Sequence, residues 1–159
     1  MADFPTDEQE SAAEAAPRAP GGIEEPRRSR LRFTNLQFER SPAARCSAAV
    51  ELEWLPGESV VGRADGVASP LGDLRVVADA TLRAIEAFSG RSVSLELIGV
   101  KTMRAFDANI VMVSVLANTP EGQRRLLGCH LTDDDMLRSA VVATLQATNR
   151  VLGNAIATR

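Results

Sequence analysis

Tyrosine is absent from this 159-residue chain, and all aromatics together make up 4% of it. So sparse a set argues against a base-stacking platform and against a recognition surface built on aromatic hot spots. Lys101 is the only lysine and His130 the only histidine. The net charge is -3, which gives no general affinity for nucleic acid. Two cysteines, Cys46 and Cys129, stand too far apart for any CxxC or other metal spacing. Both fall in strand-like runs and read as small buried thiols. No apolar run approaches the roughly 20 residues that span a bilayer, so no membrane partner is expected. The N-terminus lacks the basic-then-apolar order of a signal peptide, which makes the cytoplasm the expected location. No cofactor motif stands out, and no cofactor is expected.

What is present is ordinary for a globular protein: 45% apolar and 25% charged residues. Residues 1–30 are rich in Ala, Glu, Asp and Pro, with Pro5, Pro17, Pro20 and Pro26 breaking any long helix. Such a segment has too little apolar surface to offset its ordering entropy and reads as a disordered tail. It ends in a basic patch, Arg27-Arg28-Ser29-Arg30 with Arg32. A folded domain is expected over residues 31–155.

That domain says the same thing twice. Leu74-Arg75 followed by Ala80-Thr81-Leu82-Arg83-Ala84 returns as Leu137-Arg138 followed by Ala143-Thr144-Leu145-Gln146-Ala147, at the same internal spacing. Each copy is preceded by strand-like runs. The first strand, from Leu31, alternates with ambiguous facing. Ala44 to Leu55 points Ala48, Val50, Leu52 and Trp54 inward, with Glu51 and Glu53 outward. Pro56-Gly57 turns the chain into a short strand, Ser59 to Ala64. A loop over Asp65–Pro70 leads into a helix from about Leu71 to Phe88, closed by Ser89-Gly90. Asp79 and Arg83 on its outer side form an i,i+4 pair.

The second copy repeats the order. Ser92 to Thr102 points Val93, Leu95, Leu97 and Gly99 to one side. Asn109 to Ala117 is apolar enough to be covered on both faces. Gln123 to Leu131 pairs with it. Thr132, with Asp135 three residues on, is the candidate cap of the second helix, among acids that suit the helix dipole. Gly153 closes that helix. The expected fold is therefore α+β: two pseudo-repeated β-β-β-α units, antiparallel sheets with helices on one side. The exposed sheet faces and strand edges point to a homodimer.

The run Arg138 to Leu152 resembles the Ala-Ser-Ala, Ala, Ala-Leu-Asn-Arg-Leu pattern of the C-terminal regulatory domain of α-isopropylmalate synthase. Thr132-Asp133 resembles the Ser-Thr-Asp that opens the family's helix. Gly66 to Asp73 is similar to its Gly-Pro-Val-Asp-Ala turn. The resemblance covers roughly Phe33 to Leu152. It departs where the family has Gly-x-Gly before the second helix, since only Gly128 stands here, and this chain carries no catalytic barrel. The resemblance implies a domain that dimerises and binds leucine near the loops leading into the helices.

Those loops are the best candidate site on the residues themselves. Backbone amides at a helix start attract anions, and Gly66 and Gly72 allow close backbone approach. A small carboxylate or amino acid would fit, with Asp73 or Asp133 receiving an ammonium. The candidate ligand-binding residues are Gly66, Ser69, Asp73, Gly128, His130, Thr132 and Asp133. The acidic run Asp133-Asp134-Asp135 is weighed as a cation site and read as a solvated helix start. His130 beside those acids could be imagined as a general base, yet Ser47, Ser59 and Ser69 lack any nucleophile context. No catalytic or metal residue is assigned. The expected function is a non-catalytic, amino-acid-sensing regulatory dimer. The alternative is a scaffold that recruits a protein partner through its N-terminal tail.

Overall fold

The computed structural model describes residues 31–157; the expected tail over residues 1–30 lies outside them. The element order is β1 (Arg32–Ser41), β2 (Arg45–Leu55), β3 (Glu58–Val67), α1 (Pro70–Phe88), β4 (Ser94–Ala105), β5 (Ala108–Thr119), β6 (Gly122–Thr132) and α2 (Met136–Ala157). The strands form two three-stranded antiparallel sheets, β1-β2-β3 and β4-β5-β6. Each sheet is followed by its helix, so the fold is α+β with a repeated βββα unit. No helix among the described residues is long and apolar enough to cross a membrane.

Apolar alternation builds the inner face of each sheet. On β2, Cys46, Ala48, Val50 and Leu52 are buried, as are Val111, Val113, Val115 and Ala117 on β5. The helices cover these rows with Leu74, Val77, Ala78, Leu82 and Ile85 from α1 and Ala140, Val141 and Ala143 from α2. One continuous core spans both units. α1 also packs on β4 and α2, and its remaining outer stripe, with Arg75 and Arg83, is exposed. On its outward side, Arg83 Nη1 donates to the Arg63 carbonyl at 2.9 Å rather than pairing with Asp79.

The two units share one seat for their helices. A Cβ on Gly62 would stand 1.9 Å from the Ala80 carbonyl oxygen and 2.4 Å from the Ala84 nitrogen. A Cβ on Gly128 would stand 1.9 Å from the Ala143 oxygen and 2.6 Å from the Ala147 nitrogen. These are corresponding alanines of the repeat, and the glycines pair with corresponding valines, Val50 and Val113. Only hydrogen fits between strand and helix at each seat, so backbone packs on backbone. At the far end of α1, Gly90 takes a left-handed φ of 61°. The Gly90 and Arg91 amides donate to the Ala87 and Glu86 carbonyls at 3.2 and 2.9 Å, the paired pattern of a Schellman stop.

Several expectations change. β1 is irregular between Phe33 and Asn35, and the extra residue resolves its facing: Phe33, Leu36 and Phe38 all lean on the core. A matching irregularity on β4 between Leu97 and Gly99 hands the inner row from Leu97 to Val100, so Val100 is buried in the place expected for Gly99. β3 runs on to Val67, because Cys46 pairs with Gly66 and Arg45 with Val67; Asp65–Val67 is strand, not loop. β5 is covered on its inner face alone, its outer residues Ile110, Met112 and Leu116 being half-buried. Cys46 is buried, but Cys129 points to the outer face and is exposed. The second helix begins at Met136, with Asp135 in place of Thr132 as its cap. Asp135 Oδ1 accepts the Arg138 amide at 2.9 Å, while Thr132 is held in strand pairing with Asn109. Finally, α2 passes through Gly153 to Ala157. A helical glycine costs about 1 kcal/mol, which the neighbouring buried Val151 and Leu152 outweigh at about 1.5–3 kcal/mol each.

The glycine seats give a direct test. Gly62→Ala and Gly128→Ala should each lower stability by about 3 kcal/mol or more, since no rotamer change relieves a backbone clash. Gly99→Ala, whose Cβ meets nothing within 4 Å, should stay within about 0.5 kcal/mol. Urea denaturation of the three variants measures this.

Candidate functional site

Both helices begin at the same place. The first residues of α1, Pro70 and Leu71, and of α2, Met136 and Leu137, line one open cavity of about 640 Å³. Strand residues complete it: Phe38 and Arg40 of β1, and Val100, Lys101 and Thr102 of β4, with Asp73 and Leu74 on α1. The cavity therefore lies across the join between the two units. Its size is that of a small-molecule site, and its walls are mostly apolar with a few polar groups, as such sites are.

The polar feature is an ion pair. Arg40 continues the inward row of Leu36 and Phe38 and meets the first turn of α1. Its Nε donates to Asp73 Oδ2 at 3.0 Å, and its Nη2 donates to the same oxygen. The Asp73 side chain is 6% exposed and that of Arg40 56%. Asp73 Oδ1 is buried and accepts from no nitrogen or oxygen donor. The hydrogen bond to Asp73, then its charge, raises the Arg40 pKa above its ordinary value. The Cys46 thiol is pushed up as well, first by burial, then by hydrogen bonding to the Asp73 carboxylate and by its charge. This neutral thiol, the guanidinium and the buried carboxylate form one cluster at the cavity edge. Among the described residues the second unit has no such cluster, and Met136 occupies the position corresponding to Asp73.

Of the residues expected from sequence, Asp73 alone lines this cavity. Ser69 caps α1, its Oγ accepting the Gly72 amide at 2.8 Å. Gly66 lies in β3, where a Cβ would meet Val76 Cγ2 at 2.7 Å, and Gly128 is the helix seat; both glycines serve packing. Thr132 ends β6. Asp133 is exposed, and its carbonyl accepts from Asn109 Nδ2 at 3.4 Å. His130 is half-buried with Nδ1 at 3.1 Å from Ser139 Oγ. Ser139 is 1% exposed, which leaves its hydroxyl no room to meet a substrate, and among the described residues no carboxylate hydrogen-bonds the imidazole. His130 and Ser139 replace Ala64 and Val76 of the first unit, a polar pair inside one copy only. Among the described residues, no group of three or more His, Cys, Asp or Glu side chains is gathered for a metal ion.

Arg40, Phe38, Val100 and Thr102 were missed because the sequence left β1 unoriented and β4 in the wrong phase. With the irregularity at Thr34 placed, the Leu36–Phe38–Arg40 row carries the signal: a cation at the end of a buried stripe. No protein-family model matches the chain, and no characterised protein matches it significantly.

Removing the guanidinium strands a buried carboxylate. Arg40→Met should lower the melting temperature by several degrees. Arg45→Met, which breaks a pair of exposed partners with Asp65, should leave it nearly unchanged. In the same folded protein, Cys46 should be alkylated only as fast as the chain unfolds; differential scanning fluorimetry and thiol trapping read the two effects.

Proposed function

We propose that this protein is a non-catalytic sensor that works as a dimer and binds a small amphipathic ligand, an apolar amino acid or a close relative, in the cavity between its two units. The observation that carries this reading is the pairing of apolar walls with an ion pair of an exposed guanidinium, Arg40, and a buried carboxylate, Asp73. Asp73 lines the cavity beside Arg40, and its carboxylate receives a ligand ammonium once Oδ1, which is buried in the unliganded protein, turns toward the cavity. Arg40 has donors beyond those given to Asp73 Oδ2 and can take a carboxylate. The convergent starts of α1 and α2 favour that negative group. Phe38, Leu71, Val100 and Leu137 accept an apolar tail.

The βββα duplication agrees with the resemblance to the regulatory domain of α-isopropylmalate synthase, whose leucine gives the first ligand class to try. Sensing also suits the position of the cavity. It joins elements from both units, so a bound ligand ties the halves together, and its binding energy favours one arrangement of them.

A thermal-shift series over apolar amino acids and small carboxylates is the test. At about 100 times Kd, a specific ligand adds about 2.7 kcal/mol, a shift of several degrees for a chain of this size. Thr102→Trp, an exposed position on the cavity wall, should fill the site and remove the shift while leaving the unliganded protein folded. A series in which nothing shifts the wild type contradicts the reading.

A further inference from the structure

The two units are alike inside and opposite outside. On the outer face of the first sheet stand Gln37, Glu39, Glu51, Glu53, Arg63 and Asp65, with Val61 and Val67 as its exposed apolar residues. The corresponding rows of the second sheet are mostly apolar, with Lys101, Ser114, Glu96 and Arg125 as their polar members. One row runs Met103, Ile110, Leu131 across the three strands. The next but one ends on Leu127, and Cys129 lies between. Met103 is 45% exposed, Leu131 51% and Leu127 62%. Four such rows on three strands make a flat footprint of about 14 Å by 27 Å, close to 400 Å². A second copy stacked on it would bury about twice that footprint, and more in accessible area, which brings it to the ~1,000 Å² total that separates specific interfaces from casual contacts.

The hairpin tip at the end of this face points the same way. Phe106 and Asp107 both take left-handed backbone, with φ of 56° and 60°, where Asn-Gly is the usual choice. Phe106 is 92% exposed. A bulky aromatic held in a strained turn and aimed at water is costly on both counts. Such outliers persist where something else holds them, and an aromatic anchor at an interface is such a use.

We infer that the outer face of β4-β5-β6, with Phe106 at its rim, is the surface on which a second copy of this chain docks, face to face. It rests on the dimeric reading above and assigns that dimer its surface. Lys101 and Arg125 are the cations on the face and Glu96 its acid. With so few charges, and with the same patch on both partners, a twofold stack excludes water without forcing like charges together. The first sheet, with its rows of carboxylates, could not be paired with itself in this way.

The test is sedimentation velocity of the full chain over a concentration series, with Cys129 alkylation followed in parallel. The wild type should be a dimer whose Cys129 reacts more slowly as concentration rises. Leu127→Glu should raise the dimer dissociation constant by about tenfold or more, and Val61→Glu, the matching position on the first sheet, should not. Phe106→Asn provides a variant suited to the turn, since asparagine tolerates left-handed φ. It should keep or raise the melting temperature of the monomer while weakening the dimer. A wild-type dimer that survives Leu127→Glu and Phe106→Asn unchanged overturns the surface and leaves the dimeric reading standing. A monomer at every concentration, with Cys129 freely alkylated, overturns both. A monomer with Cys129 protected shows a cover other than a second copy and overturns the surface as a self-association site.

Discussion

Everything in this fold hangs on two places where a helix backbone rests directly on a strand. Gly62 against Ala80 and Ala84, and Gly128 against Ala143 and Ala147, leave room for hydrogen alone. That contact fixes the height of each helix above its sheet and the rotation that turns its apolar stripe inward. Small residues at one fixed spacing on both sides of the contact explain why the repeat is so visible there. Alanine suits these helix positions, where the backbone itself touches the strand. Once both helices are seated, their starting ends converge, and the cavity lined by Leu71 and Leu137 follows from the duplication itself.

Much of this architecture was legible because the signals are periodic. Val50 and Leu52 on β2, Val113 and Val115 on β5, and the α1 stripe through Leu82 announce their faces by alternation or by helical spacing. What the sequence concealed are the places where one residue breaks the period. An extra residue near Thr34 and another near Ile98 each flip the rows beyond them, so Phe38, Arg40 and Val100 turn toward the core against a strict two-residue count. The same effect hid most of the site. Asp73 was reachable by reasoning, since an acid in a helix's first turn is a familiar anchor. Its partner Arg40 was not, because no local pattern says which way a strand of uncertain phase points. Ser69 and Gly128 drew attention for sound reasons and turned out to have structural duties.

The duplication also separates what the units share from what each has made its own. They share the seats, the valine rows and the helix cores. They differ in buried polar chemistry, Arg40–Asp73 beside Cys46 in one and His130–Ser139 in the other. They differ again on their outer faces, mostly charged on the first sheet and mostly apolar on the second. Divergence at the loops leading into the helices is real but secondary, because those loops are spent on caps: Ser69 for α1 and Asp135 for α2.

The central claim is that the cavity across the join receives a small amphipathic ligand from both units at once. Backbone amide chemical-shift mapping during titration with an apolar amino acid tests it most directly. The account predicts saturable shifts at Arg40, Leu71 and Asp73 of the first unit together with Val100, Thr102 and Leu137 of the second, at one common affinity. Shifts confined to one unit, shifts centred elsewhere, or an unchanged spectrum at saturating ligand would contradict it.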